Sequence, residues 1–303
     1  DSAASLMQVR RPSILAMGSD DHWDEFIANP AGLANTYAPY ILTGVNDGND
    51  ATKLIYLSPQ FSGFDFGVSF SPNRFEGETQ WTGNSTLNWQ RDYASLTNEV
   101  SAALRYRGTF GPVGVQTSLV GQWASSARQT ATGAAPVVRQ QNVDAYSFGL
   151  ILAAYGFQVG GEYTTGKYQG QAPAGAALNK GLDASSHWLL SAVYTTGPLG
   201  LNVMYGSGTQ DNGTDTAGNK LEDRTQTYFG AGLTYTIAPG LVGFLNFNQI
   251  QDKNIPTAAA SIKSEGSTSK AAGSAGTAAL ARFGANSTTR DIQVAIAGVR
   301  VSF

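Results

Sequence analysis

A histidine-dependent catalytic triad in this chain would have to use His22 or His187, because there are two histidines and no cysteine. Neither stands at a meaningful spacing from a nucleophile, so no catalytic residue is assigned and the chain is not expected to be an enzyme. His187 precedes Trp188 on a strand-like segment and reads as a solvated polar-face histidine. In "DNGTDTAGNKLE" (211–222), Asp211, Asp215 and Glu222 sit at offsets resembling a calcium loop. Thr216 stands where that loop needs glycine and no helices flank it, so an outer turn-rich loop is expected, with no metal site. Asn84, Asn212 and Asn286 match a glycosylation acceptor pattern that is frequent by chance.

Charged side chains are the remaining chemistry. Asp20, Asp21, Asp24 and Glu25 crowd the start of "GSDDHWDEFIANP" (18–30). A short helix is predicted there: Ser19 or Asp20 can cap it, Trp23, Phe26 and Ile27 form one apolar side, and Asn29-Pro30 ends it. Acids in a first turn complement the exposed backbone N–H groups of a helix start. No cofactor is implied.

The elements that must hold these residues follow from patterning. Charged residues are 14 % of the chain, below the ~25 % usual in soluble domains, and glycine is abundant at 36. Mean hydropathy is −0.17, and no run approaches the ~18 apolar residues of a membrane-spanning helix. That excludes a helical membrane protein and leaves a β-barrel open, because barrel strands each carry a weak signal. A formal net charge of −3 gives no electrostatic footprint for nucleic acid. The opening "DSAASLMQVRRPS" lacks the apolar centre of a signal peptide, so any leader is expected to have been removed.

Period-two hydrophobicity marks strands at 52–59, 63–72, 95–107, 113–124, 143–155, 156–165, 185–196, 200–208, 224–237, 240–250 and 291–303. "PQFSG", "GTFGPV", Tyr155-Gly156, "TGPLG" and "APG" are tight turns, and they alternate with long polar stretches at 73–94, 125–142, 166–184, 209–223 and 251–290. The last of these holds a low-complexity Ala/Gly/Ser tract. Short turns on one side and long loops on the other are the habit of an outer-membrane barrel. Parity agrees. In 95–107, Asn98, Val100, Ala102, Leu104 and Tyr106 oppose Glu99, Ser101, Ala103, Arg105 and Arg107. In 113–124, Val113, Val115, Leu119 and Trp123 oppose Gly114, Gln116, Ser118 and Gln122. A slip of one residue would turn both arginines into lipid, at roughly 2–4 kcal/mol each at mid-membrane. Tyr106, Trp123, Tyr163, Trp188, Tyr194 and Tyr235 fall near strand ends, where aromatic girdles belong.

Two stretches carry a resemblance. "TKLIYLSPQFSGFDFGVSF" (52–70) resembles a strand–turn–strand of Gram-negative general diffusion porins, with Tyr56, Ser58, Pro59, Phe61, Gly63 and Phe64 at the pattern positions. "AGVRVSF" (297–303) resembles their last strand, whose terminal phenylalanine, here Phe303, serves membrane assembly. The resemblance implies an all-β transmembrane antiparallel barrel of sixteen-stranded family architecture, with about eleven strands in this chain. It places residues 1–51 where the family's third long loop folds inward, and 52–303 as barrel strands with outer loops and short periplasmic turns. On this alignment five N-terminal strands are expected on another or unrecorded piece of chain, or to have been cleaved. An alternative makes "SLMQVRR" a strand of a smaller twelve-stranded barrel.

Within a porin, Asp20, Asp21, Asp24 and Glu25 would supply negative charge at the constriction. Arg10, Arg11, Lys53, Arg105, Arg107 and Arg300, with Glu99, are the candidate pore-lining groups, the basic ones forming a facing positive surface. Opposed charges across a narrow passage set ion preference; the other reading keeps the acids on a helix start facing bulk water. The function implied is passive diffusion of small hydrophilic solutes and ions across the bacterial outer membrane. Expected partners are membrane lipid, lipopolysaccharide and two further copies of the chain in a homotrimer. A surface barrel with a blocked lumen, acting as adhesin or receptor, is the alternative.

Overall fold

The computed structural model describes residues 2–14, 52–73, 97–125, 142–167, 184–211, 222–254 and 290–302. Within them the chain forms one short helix, α1 (Ala3–Met7), and eleven strands: β1 (Leu54–Leu57), β2 (Phe64–Asn73), β3 (Thr97–Phe110), β4 (Val113–Ser125), β5 (Val143–Ala154), β6 (Phe157–Lys167), β7 (Ser185–Thr196), β8 (Leu199–Gln210), β9 (Arg224–Ala238), β10 (Leu241–Lys253) and β11 (Arg290–Val301). The strands follow chain order in one sheet, from β1 at one edge to β11 at the other. Every expected strand is present, with ends shifted by a few residues.

Two-residue turns account for the short connections, and each needs a backbone that glycine adopts easily. Gly63, Gly111, Gly156, Gly197 and Gly240 all have positive φ, joined by Ser62 and Tyr155. The porin-like motif is such a turn with its own bonding. Ser58 donates its N–H to Phe66 O (2.8 Å) and its Oγ accepts from Phe66 N (2.9 Å). Phe61 and Phe64 exchange backbone bonds, and Arg107 N donates to Gly63 O at 2.8 Å. Gln60 Nε2 donates to the carbonyls of Gly63 and Arg107. The motif thus locks the β1–β2 turn to β3.

The "SLMQVRR" strand is corrected. Ala3–Met7 is helical, with Ser2 and Ser5 forming a reciprocal capping box and Gln8 already extended. Ala and Leu favour a helix, and the cap supplies the partners that a lone strand of this length would lack.

The chain divides into two compact units, Asp1–Arg10 with Leu42–Ile151 and Glu162–Ser186, and Arg11–Ile41 with Leu152–Gly161 and His187–Phe303. In the first, Phe64, Phe66, Val68 and Phe70 of β2 are exposed while Asp65, Gly67, Ser69 and Ser71 are buried. In the second, Leu201, Val203 and Tyr205 of β8 are exposed while Asn202 and Met204 are buried. Leu104, Leu119, Leu190 and Val299 are 50 %, 57 %, 58 % and 59 % exposed, yet Glu99 is 3 % exposed. A water-soluble sheet would reverse this, because each large apolar side chain left in water forgoes roughly 1.5–3 kcal/mol. A sheet whose outer face meets hydrocarbon has no such cost.

Aromatic pairs mark both ends of the outer face within each unit. Phe64 and Tyr106 (centroids 4.8 Å apart) stand toward the turns, and Trp123 and Tyr146 (5.8 Å) toward the loops, where Trp123 Nε1 donates to Tyr146 OH. In the second unit Phe157 stacks on Tyr194 at 4.3 Å, and Trp188 meets Tyr205 at 5.7 Å. Amphipathic rings at the two levels of a strand suit the two membrane interfaces.

Candidate functional site: the polar face of the sheet

In the first unit the polar face carries small hydroxyls and three acids. A row of serines, Ser69 on β2, Ser101 on β3 and Ser118 on β4, offers oxygens to the backbone of the N-terminal segment. Ala3 N donates to Ser69 Oγ (3.1 Å), Ala4 N to Ser101 Oγ (3.2 Å) and Val9 N to Ser118 Oγ (2.5 Å). Ser69 and Ser101 bond each other at 2.6 Å. Between these anchors Ala4 and Met7 rest on Ala103, Val120 and Ala145, a small apolar patch within the polar face. Hydroxyls therefore satisfy orphan N–H groups at the start of α1, and small residues let it lie close.

Two of the three acids are paired with arginines. Asp65 on β2 stands opposite Arg105 on β3 in register. It accepts from Arg105 Nε at 3.1 Å and Nη2 at 2.7 Å, and from Arg107 Nη2 at 2.9 Å. Arg105 Nη1 also donates to Leu6 O (3.3 Å), holding α1 near its C-terminal end. One two-point fork from Arg105 and a single bond from Arg107 on one carboxylate leave the trio with a net charge of +1. Glu162 on β6, its side chain 1 % exposed, accepts from Arg10 Nε at 3.3 Å. Lys167 and Asp144 pair at 3.6 Å near the loop end of β6.

In the second unit, Ser13 Oγ and Ile14 N donate to Asn202 Oδ1 (3.3 and 3.1 Å), and Asn202 Nδ2 donates to Ser191 Oγ (2.8 Å). Farther toward the loops, Arg224 and Asp252 form a two-point pair, Nε to Oδ1 at 2.9 Å and Nη2 to Oδ2 at 2.7 Å, both fully buried. Tyr228 OH donates to Asn248 Oδ1 at 2.7 Å. His187, expected to be solvated, lies on this face but is instead buried, its ring over Gly208.

The expected site residues are placed as follows. Glu99, Arg105 and Arg107 lie on the polar face of β3 as their parity requires, and the arginines are tied to Asp65 rather than standing as a bare basic row. Arg10 is paired with Glu162, and Arg11 is half-buried next to it in sequence. Lys53 is half-buried and continues the parity of Ile55, which faces Ser69. Arg300 is exposed opposite Val242, on the face that also carries Asn246. Asp20, Asp21, Asp24, Glu25 and Phe303 lie outside the described residues, as do His22 and Asp215. Among the described residues no three His, Asp or Glu side chains gather into a group that could hold a metal ion. Asp65, Arg224 and Asp252 were not singled out from sequence; the alternation in "FDFGVSF" alone puts Asp65 on the face opposite three phenylalanines.

A family profile described as Gram-negative porin matches residues 16–255. The chain belongs to that family. The porin is therefore a β-barrel protein of the bacterial outer membrane. Solved structures similar to this porin include the anion-selective porin from Comamonas acidovorans, 12 % identical over 66 % of this chain and 48 % of that chain, with a TM-score of 0.40. OmpT of Vibrio cholerae is 12 % identical, with 92 % of this chain and 73 % of that chain covered and a TM-score of 0.43. OmpF of Salmonella typhi, solved in complex with daunomycin, is 11 % identical, with 81 % and 61 % covered and a TM-score of 0.41. The porin spans about half the length of the Comamonas acidovorans protein. Comparison with curated proteins finds none that matches.

Proposed function

We propose that this porin forms a water-filled channel through which small hydrophilic solutes and ions diffuse across the outer membrane, filtered by size and by charge. The observation that carries this reading is the inverted burial: rows of Phe, Leu and Val point outward, while Asp65, Glu99, Arg105, Glu162 and Asp252 face the other way. Family membership favours a channel over an enzyme. Residues 1–51 as an inward constriction, with Asp20, Asp21, Asp24 and Glu25 at its narrowest point, are part of the same reading. The serine-anchored path of residues 2–9 along the polar face supports it. Eleven antiparallel strands leave two edges that cannot pair with each other in an antiparallel sense, and unpaired edges are untenable in lipid. Strands beyond the eleven described complete the barrel on this reading. A homotrimer in contact with lipid and lipopolysaccharide is proposed from family membership.

Reconstitution of folded protein in planar bilayers tests the proposal. Stable, ohmic conductance steps are expected, and none at all would refute it. A blocked barrel serving as adhesin or receptor is the second reading, favoured by the complete burial of Ala3, Ala4 and Met7 against the polar face. Folded, membrane-inserted protein that stays silent in the same experiment would select it.

A further inference from the structure

We infer that the polar face beside α1 carries a seat for small organic monoanions bearing an apolar group, such as an aromatic carboxylate. The inference rests on the channel reading and names a class of solute that the channel would hold in passage.

Three side chains break the pattern of the sheet. Among the described residues, exposed large apolar side chains stand on the outer face or at turns, except for Leu6, Ile55 and Leu57. On β1, Leu54 and Tyr56 face Phe70 and Val68 on the outer side, whereas Ile55 and Leu57 face Ser69 and Gly67 on the polar side. Ile55 is 37 % exposed and Leu57 47 %, and Leu6, on the helix that rests against the same face, is 43 % exposed. Each forgoes the free energy of burial while it meets water. A group of them on a water-facing wall marks a place for an apolar partner.

The three adjoin. A β-carbon built on Gly67 would stand 2.7 Å from Leu57 Cδ2 and 2.6 Å from Met7 Sδ, so the Leu57 side chain reaches α1 over that glycine. Ile55 is the next residue of the same face along β1, and Leu6 precedes Met7 on α1. A strand added beside β1 would pair in the plane of the sheet, and its side chains would stand beside this shelf without roofing it.

A positive group lies at one end of the shelf. Asp65 is the polar-face residue of β2 next to Gly67, about 7 Å along the strand, and it holds Arg105 and Arg107. Arg105 commits its fork to Asp65 and to the Leu6 carbonyl. Arg107 gives Asp65 a single bond and is 45 % exposed, which leaves the rest of its guanidinium open to a second carboxylate. That spacing suits a carboxylate joined to one ring or a short branched chain. A hydrophilic anion gains the charge alone, whereas an anion that also covers the shelf gains both contacts.

The test uses full-length protein in planar bilayers at constant KCl, with potassium benzoate or potassium formate titrated in. Benzoate should lower the KCl conductance along a saturating curve as it occupies the seat, and formate, which has no apolar group, should not. The half-saturating concentration of benzoate should rise about threefold in Leu57→Ser combined with Ile55→Ser, the order expected when part of one ring loses its apolar contact. Arg107→Gln should raise it as well. Benzoate no more effective than formate on the wild type overturns the proposal, and a chain segment seated on the shelf would give that result. An unchanged half-saturation in the double variant also overturns it. A wild type that conducts no KCl instead defeats the channel reading beneath it. Should the double variant not fold, Leu57→Ala is read by the same criterion.

Discussion

Gly149 on β5 lies directly beneath Val9, so close that a β-carbon built on Gly149 would coincide with the Val9 carbonyl oxygen. The N-terminal segment and the polar face are therefore fitted to each other at a point where only glycine is possible. The same contact region holds the Val9–Ser118 bond and the apolar patch under Met7.

Gly149→Val should lift the segment from the sheet while leaving the strands paired, since β-branched residues suit a strand. The chain has no cysteine, so Ala4→Cys provides a single reporter at a site that is 0 % exposed. Its labelling by a charged maleimide should accelerate by about tenfold or more when Gly149→Val is added, a factor that corresponds to about 1.4 kcal/mol of lost docking. Equal labelling rates would show that the segment is not held by this contact.

Asp65 joins two arginines of the next strand, and its removal frees both. Asp65→Asn should raise the charge of the polar face by one and shift the reversal potential in a salt gradient toward anions. The carboxylate is buried and Arg105 largely so, but Arg107 is nearly half exposed. The stability cost is therefore expected at about 1–3 kcal/mol, below that of a fully buried pair. Thermal unfolding in detergent measures the second effect independently of the first.

The strands and their faces were legible in the sequence because period two is a local property: "FDFGVSF" declares its two sides without reference to any neighbour. The glycine-bearing turns were legible for the same reason. Cross-strand partners were not. β2 and β3 are joined through a long connection, so nothing near Asp65 announces that Arg105 will stand opposite it. Arg224 and Asp252 meet across β9 and β10, where the register shifts between Leu241 and Val242 and no turn residue reveals it. The bulge at Asn98 is equally silent, although it decides how Glu99 is presented. The N-terminal helix escaped because five residues are too few for a period to be read. Its capping box, with Ser2 and Ser5 flanking two alanines, was the available signal.

Arg224 and Asp252 are buried at 4 % and 0 % of their side-chain surface, which makes their pairing a liability once broken. Asp252→Leu or Arg224→Met alone should destabilise the protein by about 3–5 kcal/mol, because each strips a buried charge of its two-point partner. The double variant Arg224→Met with Asp252→Leu should cost much less than the sum. Urea unfolding in detergent gives all three values, and additive losses would show that the two residues act separately.

The outward direction of alternate residues predicts a depth dependence. Leu190 is at the middle of β7 and Val299 is two residues from the end of β11, and both are more than half exposed on the outer face. Leu190→Arg should cost about 2–4 kcal/mol of folding free energy in lipid vesicles, since a guanidinium at the bilayer midplane must thin the membrane or draw in water. Val299→Arg should cost about 0–1 kcal/mol, because its long side chain can reach the interface. In detergent micelles, which adapt around a charge, the gap between the two should shrink. Equal costs in lipid, or a larger cost at Val299, would mean that the outer face does not cross hydrocarbon as its side chains indicate.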